Sequence, residues 1–285
     1  MGFLPGEASP CCFYREADDV ACVVHGDDFT TVGPKSSLDW FKKELEKHYE
    51  LTEAHRLGPG ARDDKEARVL NRIVRWTDSG LEYEADPRQA EKLLEELDLG
   101  GEGVKGVVTP GVKAHAHQVE GEVALPEREH TRFRALAARA NYLAADRPDI
   151  MYAAKEICRF MAKPTDLAFA ALKRLGRYLI DETRLTVRYD YQPMPHEIEV
   201  TVDTDVAGCP TTRKSTRGGI VKLGEHCVKA WSSNQSVIAL SSGEAEFYGI
   251  VKGASNALGV CGIPVSYTHL RAHETRGNLV CRLLL

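Results

Sequence analysis

The 285 residues carry 37 Lys+Arg against 42 Asp+Glu, a net charge of −5, with 43% apolar and 28% charged residues. That balance supports a packed core in one large or two ordinary domains and excludes full disorder. Apolar runs such as Val20–Val24 are too short to span a membrane, no basic leader precedes an apolar stretch, and the eight Cys show no metal-type spacing. Together these predict an intracellular protein, cytoplasmic or nuclear and not secreted, with reduced thiols.

Charge is spread unevenly. Residues 1–100 hold 13 Lys+Arg against 22 Asp+Glu, while 101–264 hold 21 against 19, so the acidity sits in the first third and weighs less against a nucleic-acid partner for the rest.

In chain order, Cys11–Arg15, Val20–Val24 and Phe29–Gly33 are β-prone runs joined by polar turns, which predicts a small antiparallel meander. Ser36 or Ser37 is positioned to cap a helix with Leu38, Phe41, Leu45 and Tyr49 on one face. Arg56–Lys65 reads as a loop. Val69–Trp76 and Leu81–Glu84 form a predicted hairpin. Asp86 then caps a helix with Pro87 at its first position and Ala90, Leu93, Leu94 and Leu97 inward. Gly100–Glu122 is Gly-rich and serves as the linker candidate.

Three helices are predicted next. Their apolar faces are Phe133, Leu136, Ala140 and Leu143; then Ile150, Ala154, Ile157 and Met161; then Ala168, Leu172, Leu175 and Leu179. Strands are expected at 185–191, 198–202, Gly219–Leu223, His226–Trp231 and Val237–Leu240. Ser241-Ser-Gly-Glu244 is a capping box that opens a last helix. Val265-Ser-Tyr-Thr-His-Leu-Arg-Ala-His-Glu-Thr and the following residues to Leu285 look like a translated sequencing adapter, so 265–285 are set aside and a different native continuation is expected after about Pro264.

Two carboxylate groups bear chemistry. Asp27 and Asp28 sit in a tight turn between apolar strands, where hard oxygen ligands suit Mg²⁺; Asp and Gly also favour turns for purely conformational reasons. Asp203 and Asp205 end an alternating strand and share a face, and Glu246 lies in the first turns of the last helix. A strand-end Asp facing a helical Glu starts a divalent-metal nest, while a Glu near a helix N-terminus is also favoured by the helix dipole alone. His115 and His117 lack a third ligand for a transition metal. Cys11-Cys12 reads as structural thiols. Lys155, Arg159, Lys163, Lys173, Arg174 and Arg177 either track a phosphate backbone or form a solvated face.

The order of pieces resembles the C-terminal part of a copia-type retrotransposon Pol polyprotein. Val23-Val-His-Gly-Asp-Asp-Phe29 resembles the Y-x-D-D hairpin of reverse transcriptase. Asn141-Tyr-Leu-Ala-Ala-Asp-Arg-Pro-Asp-Ile150 and Lys173-Arg-Leu-Gly-Arg-Tyr-Leu179 resemble segments between polymerase and ribonuclease H. Asp203-Thr-Asp-Val-Ala-Gly208, Arg213-Lys-Ser-Thr216, Trp231-Ser-Ser-Asn-Gln235 and Ala239-Leu-Ser-Ser-Gly-Glu-Ala-Glu-Phe247 resemble ribonuclease H motifs. The likeness runs over about residues 10–262. It departs at His25, where the family has Tyr, and at Val206, where it has Trp.

The resemblance implies an α+β fold: 1–105 as the end of a polymerase palm with a thumb-like region, 106–192 as linker and helical connection, and 193–264 as an incomplete ribonuclease H-like domain. It implies RNA-templated DNA synthesis and hydrolysis of RNA in hybrids by two-metal phosphoryl transfer with Mg²⁺ (or Mn²⁺). By the same likeness Asp27, Asp28, Asp203 and Glu246 are catalytic metal ligands, and His25, Arg213, Lys214 and Ser215 contact nucleic acid. The implied partners are an RNA template, a DNA primer, an RNA–DNA hybrid and the remainder of the polyprotein, with no membrane. The family also uses an Asp upstream of residue 1 and another beyond 264, so each metal shell is expected to be partial here. The alternative is an inactive remnant that binds nucleic acid or protein.

Overall fold

A computed structural model describes residues 1–6, 9–51, 55–101, 103–112, 122–193, 195, 197–209 and 211–267. The adapter-like tail, apart from the backbone of its first three residues, and the His115/His117 pair lie outside the described residues. The chain is mixed α and β, as expected, with three antiparallel sheets and six helices among the described residues.

The first sheet orders β1 (Leu4–Pro5), β2 (Cys12–Arg15), β3 (Val20–His25) and β4 (Asp28–Val32) as a meander. Alternation sends Val20, Cys22 and Val24 to one face. There Cys22 packs with Phe41 and Leu45 of α1 (Lys35–Glu46), flanked by Phe13, Trp40 and Leu51. The expected serine cap of α1 is not used: Pro34 precedes the helix, no side chain caps it, and Ser37 is buried inside it.

The second sheet orders β5 (Glu66–Val69), β6 (Arg72–Thr77), β7 (Gly80–Glu84) and β8 (Thr186–Asp190), so its last strand arrives about a hundred residues after its third. Gly80 makes this pairing possible. A Cβ there would lie 2.1 Å from the Tyr189 carbonyl oxygen. The helical core contains α2 (Pro87–Glu96), α3 (Glu127–Ala144), α4 (Pro148–Cys158) and α5 (Asp166–Asp181), with Leu93, Phe133, Leu136, Ile150, Ile157, Leu172, Leu175 and Leu179 buried together. Residues 85–97 share one core with residues 125–179, and the apolar face of α2 packs against α3 and α5.

Asp86 caps α2 by accepting from Arg88 N, and Thr165 caps α5 by accepting from Ala168 N. Met161 lies past the end of α4, where Cys158 is the last helical residue. The Gly-rich stretch is fastened to α5: Arg177 Nε donates to Lys105 O (2.9 Å) and Arg174 Nη2 to Thr109 Oγ1 (2.7 Å).

The third sheet orders β11 (His226–Asn234), β10 (Thr216–Leu223) and β9 (Ile198–Asp205). The long helix α6 (Ser242–Tyr267) covers one face through Ala257 against Val200 and Val221, and also packs on β2. Helix α4 packs on β11. Residues 237–240, expected as a strand, form an irregular link with Leu240 exposed. No strand offers them a hydrogen-bonding edge, and their apolar side chains face outward.

Candidate nucleic-acid interface

The β3–β4 hairpin forms as expected. His25 pairs with Asp28 across β3 and β4, and Gly26 takes the left-handed conformation (φ 65°) that a two-residue hairpin turn needs. His25, Asp27 and Asp28 are all exposed at the tip.

The second group gathers at one end of the β9–β11 sheet. Asp203 and Asp205 end β9, Arg213 and Lys214 lie in the following loop, and Ser215 leads into β10. Helix α6 starts at this same end, because Gln235, just after β11, donates from Nε2 to Ala245 O (2.7 Å). Glu246 follows in the first turns of α6.

The two faces differ. Val200, Val202 and Thr204 point toward α6, where a Cβ at Gly249 or Gly253 would run into Thr204 or Val202. Asp203 and Asp205 therefore occupy the opposite face. Glu246 reaches the shared end from the α6 side.

Ser215 and Arg213 differ in exposure. Ser215 is fully buried, and its hydroxyl accepts from Ala207 N (3.1 Å). It braces the loop and does not present its oxygen to a phosphate. Arg213 is exposed and left-handed (φ 56°), with its N–H donated to Cys209 O (2.9 Å), which turns the loop tip outward.

Helix α4 fastens this end of the sheet. Lys155 Nζ donates to Asn234 Oδ1 (2.9 Å) and Thr216 Oγ1 (3.1 Å) and pairs with Glu156 (2.6 Å). Register places Thr216 opposite both Asp205 and Asn234, so Lys155 sits on the Asp205 face. Burial pulls its pKa down, against the raising effect of Glu156. One turn on, Arg159 Nη2 donates to Cys209 Sγ (2.6 Å), and Thr212 N also donates to that sulfur (3.3 Å). Burial pushes the Cys209 thiol up, but Thr212 and Arg159 outweigh it and bring the thiol to about 7.

Of the six cations considered as phosphate contacts, Lys155, Arg159, Arg174 and Arg177 are thus engaged within the chain, and Lys173 lies over the Phe169 ring. The α4 cluster of Tyr152, Lys155, Glu156 and Arg159 was readable only as a charged helix face. Its spacing of three and four residues marks one side of the helix but does not say which element that side meets.

Mg²⁺ favours near-octahedral oxygen shells. Among the described residues no group of three or more His, Cys, Asp or Glu is arranged to hold a metal ion. The carboxylates here fall short of a complete shell.

No family model matches the chain, and no solved structure matches it. Curated relatives do. The chain is 34% identical to an uncharacterized mitochondrial protein of Arabidopsis thaliana over 40% of this chain and 48% of that one. It is 32% identical to the retrovirus-related Pol polyprotein from transposon RE1 of the same plant, over 47% of this chain and 9% of the relative. A looser likeness, 24% identical, to the retrovirus-related Pol polyprotein from transposon TNT 1-94 of Nicotiana tabacum runs along 86% of this chain and 18% of the relative.

The molecule is a relative of retrotransposon Pol polyproteins. The chain spans about half the length of the mitochondrial relative and under a fifth of the two polyproteins. No described helix is long and apolar enough to cross a membrane.

Proposed function

We propose that the chain corresponds to the reverse transcriptase–ribonuclease H region of a retrotransposon Pol polyprotein, and that on its own it binds an RNA–DNA hybrid without turning it over. One observation carries this reading: Asp203, Asp205, Glu246, Arg213 and Lys214 all lie at one end of the β9–β11 sheet, with Arg213 exposed and Lys214 partly so. Nucleic-acid backbones are held by such cations, through contacts that position the strand without reading its sequence.

The hairpin of β3 and β4 is the polymerase palm tip in this reading, with Asp27 and Asp28 offered to a primer end and His25 beside them. The β9–β11 sheet with α6 is the ribonuclease H-like part. The carboxylates belong to Mg²⁺ or Mn²⁺ sites in the whole polyprotein, and a complete shell needs further ligands. The rest of the polyprotein, an RNA template and a DNA primer are the partners.

The test is a binding titration of a labelled RNA–DNA hybrid, with primer extension and hybrid cleavage measured alongside. Binding that weakens with salt and with Arg213→Ala supports the proposal. Absence of any hybrid binding sinks it. Metal-dependent turnover lost in Asp27→Asn or Asp203→Asn would overturn the inactivity.

A further inference from the structure

Tyr152 stands out on α4. It keeps 42% of its surface exposed although Lys155, in the next turn, lies 4.6 Å from its ring centroid. The charges of Glu156 and Arg159 on α4, Asp205 at the end of β9 and Cys209 in the β9–β10 loop all act on it, and Lys155 beside it reaches the Asp205 face through Thr216. Burial, together with Glu156 and Asp205, pushes the phenol above its ordinary value, so it stays a hydrogen-bond donor.

The surroundings are held in place. Lys155 is pinned by Asn234, Thr216 and Glu156, and Arg159 pins the loop that carries Arg213 and Lys214. An exposed aromatic ring on a fixed helix therefore borders the carboxylate end of a sheet, and the loop clamped to that helix presents two cations. Aromatic faces stack bases of any sequence, and cations follow the phosphates beside them.

We propose that Tyr152 is a base-stacking residue of this chain, and that α4 forms the second wall of the Asp203/Asp205 face, seating the unpaired overhang of an RNA–DNA hybrid whose phosphates meet Arg213 and Lys214. The inference rests on the hybrid-binding reading above and extends the site to a helix that precedes the sheet by some forty residues.

The experiment is a fluorescence anisotropy titration of a short labelled RNA–DNA hybrid with a single-stranded overhang, using the full chain and its variants at several salt concentrations. Tyr152→Ala should weaken binding by about 5- to 100-fold, the range of one lost base stack, and leave the salt slope unchanged. Tyr152→Phe should bind as the parent does. Tyr152→Leu, which keeps apolar bulk without a ring, should lose as much as Tyr152→Ala. Arg213→Ala should lower the salt slope by about one.

If the parent binds and Tyr152→Leu, folded by circular dichroism, binds equally well, the inference falls and the hybrid reading stands. If the parent does not bind, the reading falls and takes the inference with it. If Tyr152→Leu weakens heparin as much as hybrid, base stacking is refuted.

Discussion

Glu84 shows what single residues contribute here. It is 1% exposed on β7, and Arg75 Nη1 (2.7 Å) and Arg184 Nη2 (2.7 Å) both donate to its carboxylate. The Arg184 hydrogen bond, opposed by burial and joined by Arg75, holds its pKa below the usual carboxylate range. A carboxylate depressed in the folded state stabilises above its unfolded pKa and loses that contribution as pH falls through the folded value. Glu84→Ala should cost about 1–3 kcal/mol in urea unfolding at neutral pH, because Arg184 loses its carboxylate partner while Arg75 keeps only Glu66. The difference between variant and parent should shrink as the pH drops below 4.

Cys209 works at neutral pH. Its thiol moves from 9.0 to about 7 on folding, so the thiolate adds stability as pH rises from 7 to 9 and that gain is lost below 7. The loop it anchors carries Arg213 and Lys214. Unfolding curves between pH 6 and 9 should show a rise of about 1–3 kcal/mol that Cys209→Ser flattens.

Among elements, the α3–α4 corner explains the Arg-Pro-Asp motif without any ligand. Arg147, 1% exposed, makes a two-pronged contact with Asp149 (2.9 and 2.7 Å) and donates to Glu182 O (2.8 Å) and Thr183 O (3.3 Å), just past the end of α5. Tyr178 OH donates to the same Asp149 (3.1 Å). Arg147→Lys keeps the charge but cannot reproduce the fork. It should cost about 1–3 kcal/mol and speed amide exchange at the end of α5 before that of α3.

The apolar faces of the helices were readable because their spacing alone dictates which side is buried: Phe133, Leu136, Leu172 and Leu179 are all at 0% exposure. The hairpins were readable from their Gly and Asp turns. Three features were not. The pairing of β7 with β8 is set by tertiary contact, and nothing local to Gly80 names Tyr189 as its neighbour. The stretch 237–240 is β-prone but has no partner strand. Ser215 and the cations of α4 and α5 carry the residue types of a phosphate site, and only packing shows that most of them bind the chain itself.

At the scale of the whole molecule, the proposed sheet-end site offers two cations to a nucleic acid. With a net charge of −5 and Arg213 and Lys214 as the cations at the sheet end, hybrid binding should show a shallow salt dependence. A slope of about −2 in log K against log salt follows from two phosphate contacts. A slope of −5 or steeper would place the contact surface elsewhere. The β9–β11 unit is also joined to α4 and to β8 by polar contacts, Lys155 and Arg159 on one side and Tyr189 OH to Cys227 O (3.2 Å) on the other. Lys155→Met should therefore loosen that seam with little effect on the helical core, as protease cleavage near 206–215 would reveal.

The late arrival of β8 has a consequence for synthesis on the ribosome. The edge of β7 at Gly80–Glu84 stays without its partner until Thr186–Asp190 has been made. At ordinary elongation rates that interval is roughly 5–20 s. During it, a nascent chain exposes an open strand edge, the apolar face of α2 and a Glu84 that has Arg75 but still lacks Arg184. Co-translational chaperone binding should fall on this window, and any ribosome pause between residues 97 and 184 should lengthen it.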